Sequence, residues 1–405
     1  MAQAASLFGD WFNLFALYAL LREVGHESAS SFAFILVLKS LPVMVVTPIA
    51  GVVADRFSRR TILLVCDLLR AALVLSVLVV CWWPSTVFVY AVVTVQTMVS
   101  AFFIPARTAL LPDLVSAEEL TAANAMGAAL WSTMMAFGSA FGGLMTAWLG
   151  WEWAITIDAV TYLVSGVFVF GIQEPDWARV QGNVSDVLRQ FKEGAVYLAR
   201  EGEVLTLALV KSAWSIAGGM TIVLTTLGER EFSEEVGNDI LAITLLYMAR
   251  GVGTGIGPFM ARTLAGGERP RMERLIGVGF LFGGSMYLVI PHAPFLFGAV
   301  VGLVVAHIGG ATVWVFSTIR LQQCVPTHVR GRVFSMELAS FTVASACSTL
   351  VFAYLLDQPG ADARAIGSWL GVLLLLGGAY WAVRLWRYPP GHSTVTSDGR
   401  SRTRE

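Results

Sequence analysis

Charge is scarce in this 405-residue chain. Only 14% of it is Asp, Glu, Lys or Arg, against roughly 25% in an ordinary soluble domain, which excludes a typical water-soluble enzyme. Cysteine is scarcer still. Cys66, Cys81, Cys324 and Cys347 lie in or beside apolar segments with no CxxC pair, which excludes a disulfide framework and a zinc site. The five histidines, His26, His292, His307, His328 and His392, are scattered, so no metal site is expected, and His307, well inside an apolar run, reads as hydrogen-bonded structure. No glycine loop is followed by Lys-Ser or Lys-Thr, which excludes a phosphate cradle for ATP hydrolysis. Gly251, Gly253, Gly255 and Gly257 sit in an apolar run, where they read as close packing or a flexible gate. Neither sign of charge dominates: 27 basic and 28 acidic residues leave −1, so no field recruits nucleic acid. No catalytic constellation and no cofactor is expected.

What the chain has is apolar length: 56% hydrophobic residues and a mean hydropathy of +0.69. A hydrocarbon core of about 30 Å takes roughly 20 residues of helix. Twelve segments meet that window, at about 3–21, 30–54, 61–83, 86–106, 121–149, 152–172, 204–228, 239–264, 275–291, 295–318, 334–356 and 367–386. They lack period-two alternation and are twice the length a tilted strand needs, so an all-α membrane protein is expected. With an inside N-terminus, the inside loops hold fifteen basic residues and the tail five more, against three outside, Arg22, Arg230 and Arg364. The positive-inside rule then puts both termini in the cytoplasm. The first segment has no basic n-region and carries Asp10 and Asn13 in its middle, so it reads as a span rather than a secretory leader.

The longest polar stretch, 173–203, splits six spans from six. Val187, Leu188, Phe191, Ala195 and Leu198 give it an amphipathic helical face. Arg107, Pro112 and Asp113 after the fourth span are echoed by Arg320, Pro326 and Thr327 after the tenth. The expected organisation is an N-terminal half at 1–172, a cytoplasmic linker at 173–203, a C-terminal half at 204–386 and a cytoplasmic tail at 387–405. Paired six-helix halves with a site near the midplane suit a secondary transporter.

Gly51-Val-Val-Ala-Asp55-Arg56-Phe-Ser-Arg59-Arg60 closes the second span and opens the third. There, Gly51 would permit close helix approach, Asp55 would accept from a helix N-terminus, and the arginines would latch helix ends. This stretch resembles the signature of the major facilitator superfamily, with Ser58 where that family usually has glycine. Gly138-Ser139-Ala140-Phe141-Gly142-Gly143 is similar to the family's antiporter motif, with Ser139 in place of proline and Met134 in place of an earlier glycine. Gly9-Asp10-Trp11, Ile104-Pro105-Ala106-Arg107, Leu111-Pro112-Asp113, Asn124, Ile157-Asp158-Ala159 and Arg330-Gly331-Arg332-Val333-Phe334 extend the resemblance over nearly the whole chain, to the bacterial drug-efflux branch that includes macrolide and siderophore exporters. The arginine that proton-coupled members often carry inside the fourth span is missing, since Tyr90 to Ile104 contains no base.

Intramembrane charge costs at least about 2.5 kcal/mol per residue and marks candidate sites. Eight such residues occur: Asp10, Lys39, Asp67, Arg70, Asp158, Lys211, Arg250 and Glu337. Asp67 and Arg70, three apart, read as a salt bridge or gate latch, and Glu337 as a possible member of the same inner-gate network. The resemblance implies that the first and seventh spans line the cavity, where Asp10 and Lys211 lie at comparable depths, and that Asp158 is peripheral. Asp10, Asp158 and Glu337 are the proton-coupling candidates, and an Asp10–Lys39 ion pair is the competing reading. Asp10, Lys39, Lys211 and Arg250 are the substrate-binding candidates. Gly51, Asp55, Arg56, Arg59, Arg60, Asp67, Arg70 and Arg107 are the gate candidates. The resemblance implies a monomer in a bacterial cytoplasmic membrane that exports a small amphipathic molecule by alternating access in exchange for protons. A lysophospholipid or lipid-precursor flippase and a transport-inactive receptor or scaffold are the alternatives.

Overall fold

The computed structural model describes residues 1–25, 28–116, 119–173, 184–265 and 268–387. Among them no strand occurs; helices satisfy their own backbone groups, which lipid cannot do for them. The helices are α1 (Ala2–Glu23), α2 (Ala29–Leu38), α3 (Leu41–Arg56), α4 (Arg59–Ser76), α5 (Thr86–Leu114), α6 (Leu120–Leu149), α7 (Trp151–Phe170), α8 (Val184–Arg200), α9 (Gly202–Ser215), α10 (Met220–Arg230), α11 (Ser233–Val236), α12 (Asp239–Ala265), α13 (Arg269–Val289), α14 (Leu296–Cys324), α15 (Thr327–Leu356) and α16 (Ala363–Arg387). Eleven candidate membrane spans occur among the described residues. α6, at thirty residues about 45 Å long, stands where the fifth of the twelve expected spans falls.

Local chemistry sets the breaks. α2 ends at Lys39 and α3 begins with Pro42 in its first turn, because proline has no N–H to continue the ladder and its ring crowds the preceding turn. The Ser40 hydroxyl donates to the carbonyls of Leu36 and Val37 at 3.0 and 3.1 Å. The narrow gap between the fifth and sixth segments is a turn at Gly150, whose φ of +91° suits only glycine. The seventh segment is interrupted by a 3-10 turn, Ile216–Gly219, where Gly218 and Gly219 pack against Ser345 and Phe352 of α15. The ninth begins six residues before the expected 275, since Arg269 and Glu273 are paired within the helix and their charge hides it from a hydropathy window. α8 bears out the amphipathic helix expected at Val184 to Ala199. Residues 174–183 and 388–405, including Arg179 and nearly all of the tail, lie outside the described residues.

One end of the bundle carries Met1, the α3–α4 turn, α8 and Arg387, and is called the basic end; the other is the far end. α1 packs against α6 and α7, α4 against α5 and α7, and α3 against α5. Later in the chain α14 packs against α12 and α13, α13 against α16, and α15 against α9. The two groups meet chiefly where α6 lies on α12 and α2 on α15. The α6–α12 seam is built on glycine: a Cβ on Gly251 would lie 2.5 Å from Ala136 Cα, and Gly255 faces Ser132. Gly253 and Gly257, on the opposite face of α12, pack against Val304, His307 and Ala311 of α14.

Candidate functional site

Three acids and two bases gather inside the first group of helices. Asp10 of α1 accepts a hydrogen bond from the Tyr162 hydroxyl of α7 at 2.6 Å, and Tyr162 accepts one from the Gln96 amide of α5 at 3.1 Å. The Arg70 guanidinium of α4 lies 4.4 Å from the centroids of both the Tyr162 and Phe103 rings. Arg70 pairs with Asp67 and donates to Ser6 at 3.2 Å, and the Ser165 hydroxyl donates to Asp67 at 2.7 Å. Asp67 and Arg70 are 0% and 3% exposed, so they tie α4 to α1 and α7 in the interior rather than latch an end.

Asp158 of α7 is fully buried. It stands against α1, where a Cβ on Gly9 would lie 2.5 Å from its Oδ1; the Asn13 amide is its polar neighbour, and among the described residues neither oxygen meets a well-directed donor. Lys39 does not pair with Asp10. Its ammonium donates to Asn13 Oδ1 at 2.7 Å, placed there by the break between α2 and α3. With all five groups ionised, Asp10, Asp67 and Asp158 outnumber Lys39 and Arg70 by one charge. Among the described residues Asp158 is the acid without a well-directed donor.

A second cluster lies in the other group of helices. Lys211 of α9 does not meet Asp10; it is ion-paired with Glu337 of α15 at 3.0 Å, and its ammonium sits 4.4 Å from the Trp314 ring centroid of α14. Glu337 is therefore joined to Lys211 rather than to Asp67 and Arg70. Arg250 of α12 donates to Thr221 Oγ1 at 3.2 Å and lies 5.5 Å from the Tyr247 ring centroid. Its buried Nε has no hydrogen-bond partner, and no acid pairs with it among the described residues. His307 is hydrogen-bonded with Tyr287 at 3.0 Å.

At the basic end Arg59 pairs with Asp113 and donates to the Ala109 carbonyl at 2.8 Å, tying α4 to α5. Arg60 donates to the Phe170 carbonyl and stacks 5.0 Å from its ring centroid, tying α4 to α7. Arg56 closes α3 at the surface. Open space faces Gly51, with no atom within 4 Å of a Cβ placed there, so no helix makes the close approach expected of it. Arg107 is half-buried near Gly127. The side chains of Asp55, Asn124 and Arg262 lie outside the described residues. Arg320 is buried and paired with Glu273 at 2.9 Å, unlike its expected counterpart Arg107.

At the far end Arg22 of α1 pairs with Asp239 of α12 and reaches Glu229 of α10 at 3.6 Å; the Tyr18 hydroxyl also donates to Glu229, at 3.1 Å. Asp357, just past α15, accepts from the backbone N–H groups of Ala29 and Ser30 at 2.8 and 2.9 Å. These contacts hold the two helix groups together there. Sequence reasoning missed this set and also Tyr162, Gln96 and Asn13; neutral polar residues inside apolar runs were the available signal.

The Major Facilitator Superfamily profile matches residues 1–295. The chain belongs to that superfamily. It is a multi-pass membrane transporter. It is 26% identical over 399 residues to the uncharacterized MFS-type transporter YfiS of Bacillus subtilis (strain 168), with 92% of this chain and 87% of that one covered. It is 24% identical over 356 residues to macrolide efflux protein A of Streptococcus pyogenes, covering 85% of each. Its fold is similar to the crystal structure of an auto-inhibited POT family peptide transporter, with a TM-score of 0.71, 14% identity and 96% of each chain covered.

Proposed function

We propose that this transporter exports a small amphipathic molecule by alternating access in exchange for protons. The observation that carries the reading is Asp158, buried with no well-directed donor among the described residues in a cluster that holds one acid more than it has bases. A carboxyl so placed is stable only as the neutral acid or with a counter-charge brought to it, which is the behaviour a proton-loading group needs. Asp10, only partly buried, passes the proton, and Glu337 is the matching acid of the other half. Lys39, Lys211 and Arg250, with Asp10, meet the polar part of the substrate.

In this reading residues 1–172 and 204–386 move as halves about the 173–203 linker. The basic end faces the cytoplasm of a bacterial cell, and the chain acts as a monomer. Asp55, Arg56, Arg59, Arg60 and Arg107 govern the inner gate, with Asp67 and Arg70 bracing it from within. The far-end contacts between Arg22, Glu229, Asp239 and Asp357 fit a state closed to the outside.

The test is reconstitution in proteoliposomes with an imposed pH gradient, using macrolides, siderophores and lysophospholipids as candidate cargo. Accumulation that appears with the gradient and collapses when an uncoupler dissipates it supports the proposal. Movement of lysophospholipid alone, unaffected by the uncoupler, would replace export with lipid flipping.

A further inference from the structure

Between α8, α9 and α15, away from the Asp10 cluster, lies a cavity of about 220 Å³. Leu198, Leu205, Leu209 and Met336 give it apolar walls, and Glu337 and Ser340 are its polar lining. The Glu337 side chain is 4% exposed. Its Oε1 is ion-paired with Lys211 at 3.0 Å, one partner for a carboxylate with about four acceptor sites, so open acceptor sites remain. Lys211 is not part of the wall; it is held behind Glu337 over the Trp314 ring. Ser340 is already engaged, with its own helix at 2.9 Å and with Ser212 at 2.8 Å.

We propose that this cavity binds an uncharged amphiphile whose head donates a hydrogen bond to Glu337 and whose short apolar tail lies against Leu198, Leu205 and Met336. Each part of that description has its own cause. The apolar walls call for a tail. A carboxylate has about four acceptor sites and the Lys211 ammonium fills only part of them, which calls for a hydroxyl or amide head. The Lys211–Glu337 pair is already neutral, so an ammonium head would add a third buried charge and a carboxylate head would meet Glu337 as a like charge. The volume, about seven waters at roughly 30 Å³ each, suits a tail of a few carbons.

The experiment uses the full chain in phosphatidylcholine nanodiscs and reads its unfolding temperature against added 1-hexanol, methyl pentyl ether, hexylammonium and hexanoate. A ligand that binds the folded state raises that temperature saturably. 1-Hexanol is expected to do so, with the ether, which lacks the donor, weaker by about tenfold or more and both charged probes without saturable effect. Ala199→Phe, at an exposed position on the cavity lining, should fill the space and abolish the hexanol shift. Lys211→Met with Glu337→Leu removes both charges together and should erase the preference for alcohol over ether. No saturable shift, an equal shift with ether, or an unchanged shift in Ala199→Phe would overturn the assignment. Binding to the resting protein is read without transport, so this result is independent of whether the chain exchanges protons.

Discussion

Arg22 and Asp239 are ion-paired across the seam between α1 and α12, so the far end of the bundle is held shut by a bond whose two partners belong to different helix groups. Glu229 shares the same guanidinium. Both acids and Arg22 are about a quarter to a third exposed, which limits the latch to roughly 1 kcal/mol after solvent screening. Arg22→Gln is expected to raise the population open at the far end by up to about fivefold. Spin labels at Trp148 and Phe297, with the native cysteines replaced, would report this as a growing long-distance component. An unchanged distance distribution would mean the latch is incidental.

Asp158→Asn should leave folding intact, because the amide copies the neutral acid in shape and keeps an acceptor oxygen for its neighbours. The unfolding temperature is expected to stay within a few degrees, while accumulation driven by a pH gradient disappears. A variant that unfolds far more readily would show that an ionised Asp158 is needed for stability.

Lys211→Met alone removes one partner from an ion pair in which both side chains are under 10% exposed. Leaving Glu337 stranded should cost about 3–5 kcal/mol, seen as a large drop in unfolding temperature or in yield. Adding Glu337→Leu should recover most of it. Failure of the second change to rescue the first would mean that Lys211 acts through its contact with Trp314 instead.

Gly251→Val places a branched side chain where a Cβ already lies 2.5 Å from the Ala136 backbone. Overpacking of this kind typically costs about 1–3 kcal/mol, and here it wedges α6 from α12. Transport should fall at least tenfold, whereas Gly331→Ala, with nothing within 4 Å of its added Cβ, should be silent. Equal activity in the two would remove the seam from the transport cycle.

The spans were legible because lipid demands long apolar runs, and the amphipathic linker helix because Val187 to Leu198 repeats at helical spacing. The start of α13 was not, since Arg269 and Glu273 cancel each other's charge only once folded. The charged residues of the candidate site were all visible as exceptions in apolar text, but their pairing was not. Lys39 turned to Asn13 instead of Asp10 because the Pro42 break sets where its stem begins, and Lys211 found Glu337, 126 positions away in the numbering. Tyr162 was passed over because aromatic residues look ordinary in such a chain. Its hydroxyl is visible as Asp10's donor only when α1 and α7 are side by side.

The glycine spacing of α12 has a mechanical consequence. Gly251 and Gly255 bare one face to α6, and Gly253 and Gly257 bare the opposite face to α14, so for two turns the helix is little wider than its backbone. Backbone surfaces are smooth beside interdigitated side chains, and at these glycines the neighbours are met mainly at backbone or Cβ atoms. With little side chain to interlock on either face, α12 has two seams that would resist sliding less than an interdigitated one. Its friction is set by how closely the polypeptide backbones lie.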